Sequence, residues 1–165
     1  MNNKKYSCFF SGHRHLPKNE IGIIESFLDE KIMEKYNSGI TDFITGGALG
    51  FDMLAEESII RLKDYYGLEG KMKLIIYLPC REYDKYWDVR ERERFCNIKV
   101  YTDKMLLVTD NSYRSGCMSV RNQKMVDDAS CGIVYKKSRR SGTGQTVAMA
   151  EKQGLDIINL VDLIN

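Results

Sequence analysis

Apolar positions along the chain switch repeatedly between runs that suit a strand and spacings of three and four that suit a helix. Tyr6 to Phe10 is a short aromatic-rich run that stops at Ser11-Gly12. Ile21, Ile24, Phe27, Leu28, Ile32 and Tyr36 then recur at helical spacing, and Asn37-Ser38-Gly39 closes that helix, with Gly39 suited to the position just past its end. Thr41 to Thr45 reads as a second strand broken by Gly46-Gly47, and Phe51, Ala55, Ser58, Ile59, Leu62 and Tyr66 as a second helix closed by Gly67. Lys73 to Leu78 is the clearest strand, stopped by Pro79. The charged segment Tyr83 to Phe95 is expected to be a surface helix, followed by a short strand that includes Val100 and another over Met105 to Val108. Met118 to Ala129 is expected to be a helix, Gly132 to Tyr135 a strand, Thr146 to Gln153 a helix and Leu155 to Leu160 the last strand. Strands alternating with helices of this length predict an α/β fold with a mainly parallel sheet.

Composition narrows the function classes. With 165 residues, no internal repeat and no linker-like stretch, residues 1–165 are expected to form a single domain. Lys and Arg number 25 against 23 Asp and Glu, a net charge of +2, which argues against a duplex-DNA binder and makes nucleic acid an unexpected partner. A hydrophobic fraction of 43% with only 2 prolines fits one packed core. No apolar run approaches the roughly 20 residues of a membrane helix. Met1-Asn2-Asn3-Lys4-Lys5-Tyr6 runs straight into a strand-like segment without a signal-peptide core, so a cytoplasmic protein with no membrane partner is expected. The cysteines Cys8, Cys80, Cys96, Cys117 and Cys131 are odd in number and show no paired metal-ligand spacing. Most have apolar neighbours and read as buried filler; Cys117, near Arg114 and Arg121, has the most basic surroundings.

In a parallel α/β sheet, right-handed crossovers put the loops after successive strands on one edge, and ligands bind there. The first such loop is Ser11-Gly12-His13-Arg14-His15, where a glycine permits close backbone approach and Arg14 offers a fork of donors for phosphate or simply a solvated charge. His13 and His15 have neither a carboxylate nor a third histidine beside them, so no metal site is expected. The second loop, Thr45-Gly46-Gly47-Ala48-Leu49-Gly50-Phe51-Asp52, places three glycines at a strand-to-helix junction, where free N–H groups and the helix dipole favour an anion. Asp52 suits the first helical turn in any case, and would also accept a ribose hydroxyl. The third, Lys136-Lys137-Ser138-Arg139-Arg140-Ser141-Gly142-Thr143-Gly144-Gln145-Thr146, is a second glycine-rich entry to a helix. Its four cations read either as a phosphate attractor or as a solvated face. Arg121-Asn122, near the start of a helix, is a further candidate. Tyr77, Tyr83, Tyr86, Trp87 and Tyr113 stand close to predicted loops, where one would stack on a base or pack the surface.

Ser11-Gly12-His13-Arg14, Thr45-Gly46-Gly47-Ala48-Leu49-Gly50-Phe51-Asp52 and Arg121-Asn122-Gln123-Lys124-Met125-Val126-Asp127 resemble, in order and over nearly the whole chain, the YpsA/YoqJ-like branch of the SLOG superfamily. That superfamily also holds DprA and the LOG enzymes. The resemblance implies a Rossmann-like three-layer sandwich with helices on both faces, whose first, second and penultimate loops bind a nucleotide-derived ligand. Members often pair, so a homo-oligomer is an open expectation to which no apolar stripe points. LOG hydrolases carry a Pro-Gly-Gly-x-Gly-Thr-x-x-Glu loop whose Glu works on the N-glycosidic bond. Here Ser141-Gly142-Thr143-Gly144-Gln145-Thr146-Val147-Ala148-Met149 holds no Glu, the next being Glu151. A general acid or base must reach the bond it serves, so binding is favoured over catalysis and no catalytic residue is assigned.

The expectation is therefore a protein that senses or sequesters a nucleotide-derived molecule such as ADP-ribose, a cyclic relative or NAD, with no required cofactor. The ligand-binding residues expected are Ser11, Gly12, His13, Arg14, Gly46, Gly47, Ala48, Gly50, Asp52, Arg121, Asn122, Ser141, Gly142, Thr143 and Gly144. The alternatives are a LOG-type hydrolase of an N-glycosidic or phosphate bond and a DprA-like single-stranded DNA binder using Lys136, Lys137, Arg139 and Arg140.

Overall fold

The computed structural model describes residues 3–110, 112 and 115–165. Met1, Asn2, Tyr113 and Arg114, all mentioned above, lie outside them. Six parallel strands run β1 (Ser7–Gly12), β2 (Asp42–Thr45), β3 (Lys73–Leu78), β4 (Lys104–Leu107), β5 (Cys131–Tyr135) and β6 (Asp156–Asn159). Their order across the sheet is β4-β3-β2-β1-β5-β6. The helices are α1 (Ile21–Asn37), α2 (Phe51–Tyr66), α3 (Val89–Val100), α4 (Cys117–Asp127), α5 (Gly142–Lys152) and α6 (Leu160–Ile164). Helices α6, α1, α2 and α3 cover one face of the sheet and α4 with α5 the other, giving the Rossmann-like sandwich.

Period-two alternation sorts the central strands between two cores. Cys8, Phe10, Phe43, Ile133 and Tyr135 join the core under α1 and α2, whereas Phe9, Ile44 and Val134 join the one under α4 and α5. Because both faces are covered, these strands read as continuous apolar runs. On α1, Ile24, Leu28 and Ile32 recur every four residues and are buried.

Several boundaries differ from the sequence expectation, each for a local reason. Tyr6 ends a 3-10 turn, and β1 starts at Ser7 and continues through Ser11 and Gly12, which pair with Val134 and Tyr135 of β5. The charged helix begins at Val89, six residues later than Tyr83, because the Asp88 carboxylate accepts the Glu91 N–H at 3.0 Å and caps it there. Val100 is its last residue, exposed, and in no strand. Ser141 caps α5, its Oγ accepting the Gly144 N–H at 2.9 Å, so that helix starts at Gly142 rather than Thr146. Asn159 likewise caps α6 by accepting the Val161 N–H at 3.2 Å, so the last strand stops before Leu160. Cys8, Cys80, Cys117 and Cys131 are buried as expected, but Cys96 is exposed. Phe95 and Ile98 set the inward face of α3, and position 96 falls outside that face.

Candidate functional site

Successive strands β1 to β4 extend the sheet in one direction, and β5 returns to the other side of β1. The carboxyl ends of β1 and β5 therefore diverge at a switch point, and the loops leaving them open a crevice. A cleft of about 230 Å³ occupies it. Ser11, Gly12, His13 and Arg14 line it from β1, Ala48 and Asp52 from the β2–α2 junction, Arg121 and Asn122 from α4, and Ser141, Gly142 and Thr143 from the start of α5. Three loops and one helix separated widely in sequence thus meet at one place. Met118, Met125 and Phe10 line it as well and were not expected from the sequence. The two methionines carried a usable signal, since positions 118, 121, 122 and 125 share one face of a helix.

Four expected glycines shape the cleft without lining it. Gly46 sits where its Cα faces the Arg121 guanidinium and the Asp52 carboxylate; a Cβ there would stand 2.8 Å from Arg121 Cζ and 3.0 Å from Asp52 Oδ2. Gly47 packs over Ile76 and Leu78 of β3, and Gly144 packs under the carbonyls of Ser138 and Arg139, folding the loop back onto α5. Gly50 caps α2 with φ +78° and ψ −116° and lies against the carbonyls of His13 and Arg14. The Phe51 N–H completes the join by donating to the His13 carbonyl at 3.1 Å.

Asp52 is buried in the first turn of α2, where its Oδ2 accepts the N–H of Gly46 at 3.1 Å and of Ala48 at 3.2 Å. Burial pushes its carboxyl up to about 6, although Arg121, those two N–H groups and Arg14 pull the other way. Arg121 is itself buried, donates from Nη1 to the Gly46 carbonyl and from Nε to Asn122 Oδ1 at 2.7 Å, and is lowered from its usual range chiefly by burial. His13 serves partly as a clip: its Nε2 accepts the Lys137 N–H at 2.8 Å, joining the loops after β1 and β5. Burial, then the Lys137 charge, lowers the His13 imidazole, so at neutral pH it is an uncharged acceptor.

The basic run contributes less than its charge count implied. Lys136, Lys137, Arg139 and Arg140 do not line the cleft, and Lys137 pairs with Glu20 at 3.2 Å. The capped, earlier start of α5 brings its first turn to the crevice and leaves the cations beside it. The cleft's charge comes instead from Arg14 and Arg121. Tyr77 is buried on β3, where its hydroxyl donates to Asp128 just past α4 at 2.5 Å, and it does not line the cleft. Cys117 opens α4 with its sulfur 3.4 Å from that of Cys80. Both are buried, and burial first of all pushes the Cys80 thiol up to about 11.

Behind Asp52, one turn along α2, Glu56 is fully buried and accepts from Thr45 Oγ1 at 2.5 Å. Burial, then the neighbouring Asp52 charge, holds its carboxyl well above the usual range, which favours the protonated form. Glu56→Gln is therefore expected to keep or raise the melting temperature at pH 8, because an amide retains the acceptor for Thr45. A clear fall in thermal denaturation would mean that the carboxyl is ionised.

Residues 10–161 match the YspA SLOG family model. A UPF0398 protein of Macrococcus caseolyticus is 27% identical over 153 residues, covering 87% of this chain and 81% of its own length. Among solved structures, DNA processing protein A from Helicobacter pylori aligns over 94% of this chain and 65% of its own with a TM-score of 0.64 at 16% identity. DprA from Streptococcus pneumoniae aligns over 93% of this chain and 50% of its own, with a TM-score of 0.63 at 17% identity. This chain thus spans less than two thirds of either, and at identities this low the structural likeness shows a common fold alone.

Proposed function

Because the chain belongs to the YspA SLOG family, we propose that it binds a nucleotide-derived small ligand in the cleft between β1 and β5 and acts by sensing or sequestering it. The observation that carries this reading is the cleft's charge. Arg14 and the buried Arg121 outnumber the single carboxylate of Asp52, and the N-termini of α2 and α5 open onto the same space. The first N–H groups of a helix lack intrahelical partners. With the Gly144 N–H taken by Ser141, those of Gly142 and Thr143 are the ones placed for a phosphate. Asp52 Oδ2 is committed to the backbone, and its Oδ1 is the atom placed to accept a ribose hydroxyl. ADP-ribose, a cyclic relative of it, or NAD fits this order of groups.

A thermal-shift series with AMP, ADP, ADP-ribose, NAD and cyclic nucleotides tests the reading. A ligand at 100 times its Kd stabilises by about 2.7 kcal/mol, which for a chain of this size moves the melting temperature by roughly 5–10 °C. Arg14→Ala, on an exposed side chain, is expected to leave the fold intact and abolish most of the shift. A flat series with the parent protein would overturn the proposal.

Two further readings rest on specific observations. A carboxyl at about 6 inside a cleft suits a general acid or base at neutral pH. Hydrolysis of the bound nucleotide, lost in Asp52→Asn, would therefore convert the binding protein into an enzyme. The H. pylori neighbour is described by its single-stranded DNA binding mode, which keeps nucleic acid among the partners despite the near-neutral charge. Oligonucleotide binding through Lys136, Arg139 and Arg140 would weaken steeply with salt, whereas a small ligand held in the cleft would respond far less.

A further inference from the structure

A second hollow, about 380 Å³, adjoins the cleft. Arg14 and Met118 line both, so the two lie side by side. Its other walls are Ser112 and, from the turn-rich segment between β3 and α3, Glu82, Tyr83, Lys85, Tyr86 and Trp87; the sequence pattern predicts a helix from Tyr83 onward there. Trp87 is anchored edge-on to Phe95 and Tyr83, with ring centroids 5.6 and 5.7 Å away, and forms a rigid flank. Tyr86 is 89% exposed, with the Lys85 ammonium 5.5 Å from its ring centroid. Glu82 is the one non-glycine residue with positive φ among those described, at +55°. A left-handed residue of this kind is disfavoured and is retained where the surroundings demand it, commonly at ligand clamps. A bridge between Arg81 and Ser112 ties this segment to the loop after β4.

We infer that this hollow is the base subsite of the same ligand: a planar heteroaromatic ring stacks against Tyr86 and Trp87, beside Met118, while its phosphate and ribose occupy the cleft. The inference rests on the nucleotide reading proposed above and adds to it which part of the ligand goes where. Arg14 stands at the junction, placed to hold the phosphate or ribose that links the two parts. Glu82 and Ser112 at the rim offer an acceptor and a hydroxyl to the edge of the ring. Together the two volumes fall within the roughly 300–1,000 Å³ of small-molecule pockets. The chemistry selected is that of a nucleotide rather than a sugar phosphate.

Calorimetry with AMP, ADP-ribose and ribose 5-phosphate on the parent protein and on Tyr86→Ala and Tyr86→Phe separates the subsite from the cleft. AMP is expected to bind more tightly than ribose 5-phosphate. Tyr86→Ala is expected to weaken AMP roughly tenfold, the scale of one base–aromatic stack, with ribose 5-phosphate unaffected and Tyr86→Phe close to the parent. Trp87 is the only tryptophan of the chain, so its fluorescence is expected to change with AMP and not with ribose 5-phosphate. If AMP and ribose 5-phosphate bind equally and Tyr86→Ala changes neither, the base subsite is wrong and the cleft reading stands. If none of the three probes binds the parent protein, the cleft reading fails and the subsite with it.

Discussion

Gly50→Ala is expected to destabilise the protein by about 3 kcal/mol or more, an effect of the size seen when strain and a backbone clash coincide. At φ +78° and ψ −116° the position lies in a conformation that side-chain-bearing L residues scarcely adopt. A Cβ would also stand 2.6 Å from the His13 carbonyl oxygen and still nearer that of Arg14. Those carbonyls cannot simply withdraw, because the Phe51 N–H bonds His13 and the His13 imidazole is bonded to Lys137. Gly67→Ala makes the internal comparison: it too has positive φ, +64°, but nothing within 4 Å of the added carbon. Its expected loss is about 1 kcal/mol, the left-handed penalty alone. Chemical denaturation of the two variants checks this, and equal losses would refute the close packing of the β1 and β2 loops. Ligand binding is expected to fall with Gly50→Ala beyond what stability explains, since the displaced segment carries Arg14.

Asp52→Asn is expected to make the protein more stable at pH 8 while weakening its hold on a nucleotide. The carboxyl ionises near 3.8 in an unfolded chain and at about 6 in the folded one. Between those values the folded state keeps a proton that the unfolded state has released, so stability falls as pH rises through this window and levels off above it. The full difference corresponds to about 3 kcal/mol at pH 8. An amide keeps the acceptor for the Gly46 and Ala48 N–H groups without a buried charge. The stabilisation measured by denaturation is therefore expected to be largest at pH 8 and to vanish near pH 4. A variant less stable than its parent at pH 8 would show instead that Arg121 depends on the carboxylate as its counter-charge. The trade is reasonable for a binding site, where a group poorly placed for stability is retained because a ligand uses it.

The elements themselves were largely legible in the chain. Every strand of the sheet and all helices but the short α6 were foreshadowed by period, glycine and proline stops. Two helix starts were misplaced where a side chain, rather than a hydrophobic pattern, begins the helix. Asp88 and Ser141 each take a backbone N–H of the first turn, and no periodicity records that. The cost for function was specific: with the helix drawn from Tyr83, the aromatic hollow could not be seen.

By itself the sequence determined the α/β alternation, the three loops rich in glycine and hydroxyls, and the resemblance that links them, because turn chemistry and apolar period act within a few residues. Only the tertiary structure decided which charges face the cleft. Arg121 and Asp52 lie in different helices and come together across Gly46, while the conspicuous run from Lys136 to Arg140 stays outside. The physical reason is that burial and the Coulomb field depend on distance in space. The order β4-β3-β2-β1-β5-β6 brings residues more than a hundred positions apart, such as His13 and Lys137, into one crevice.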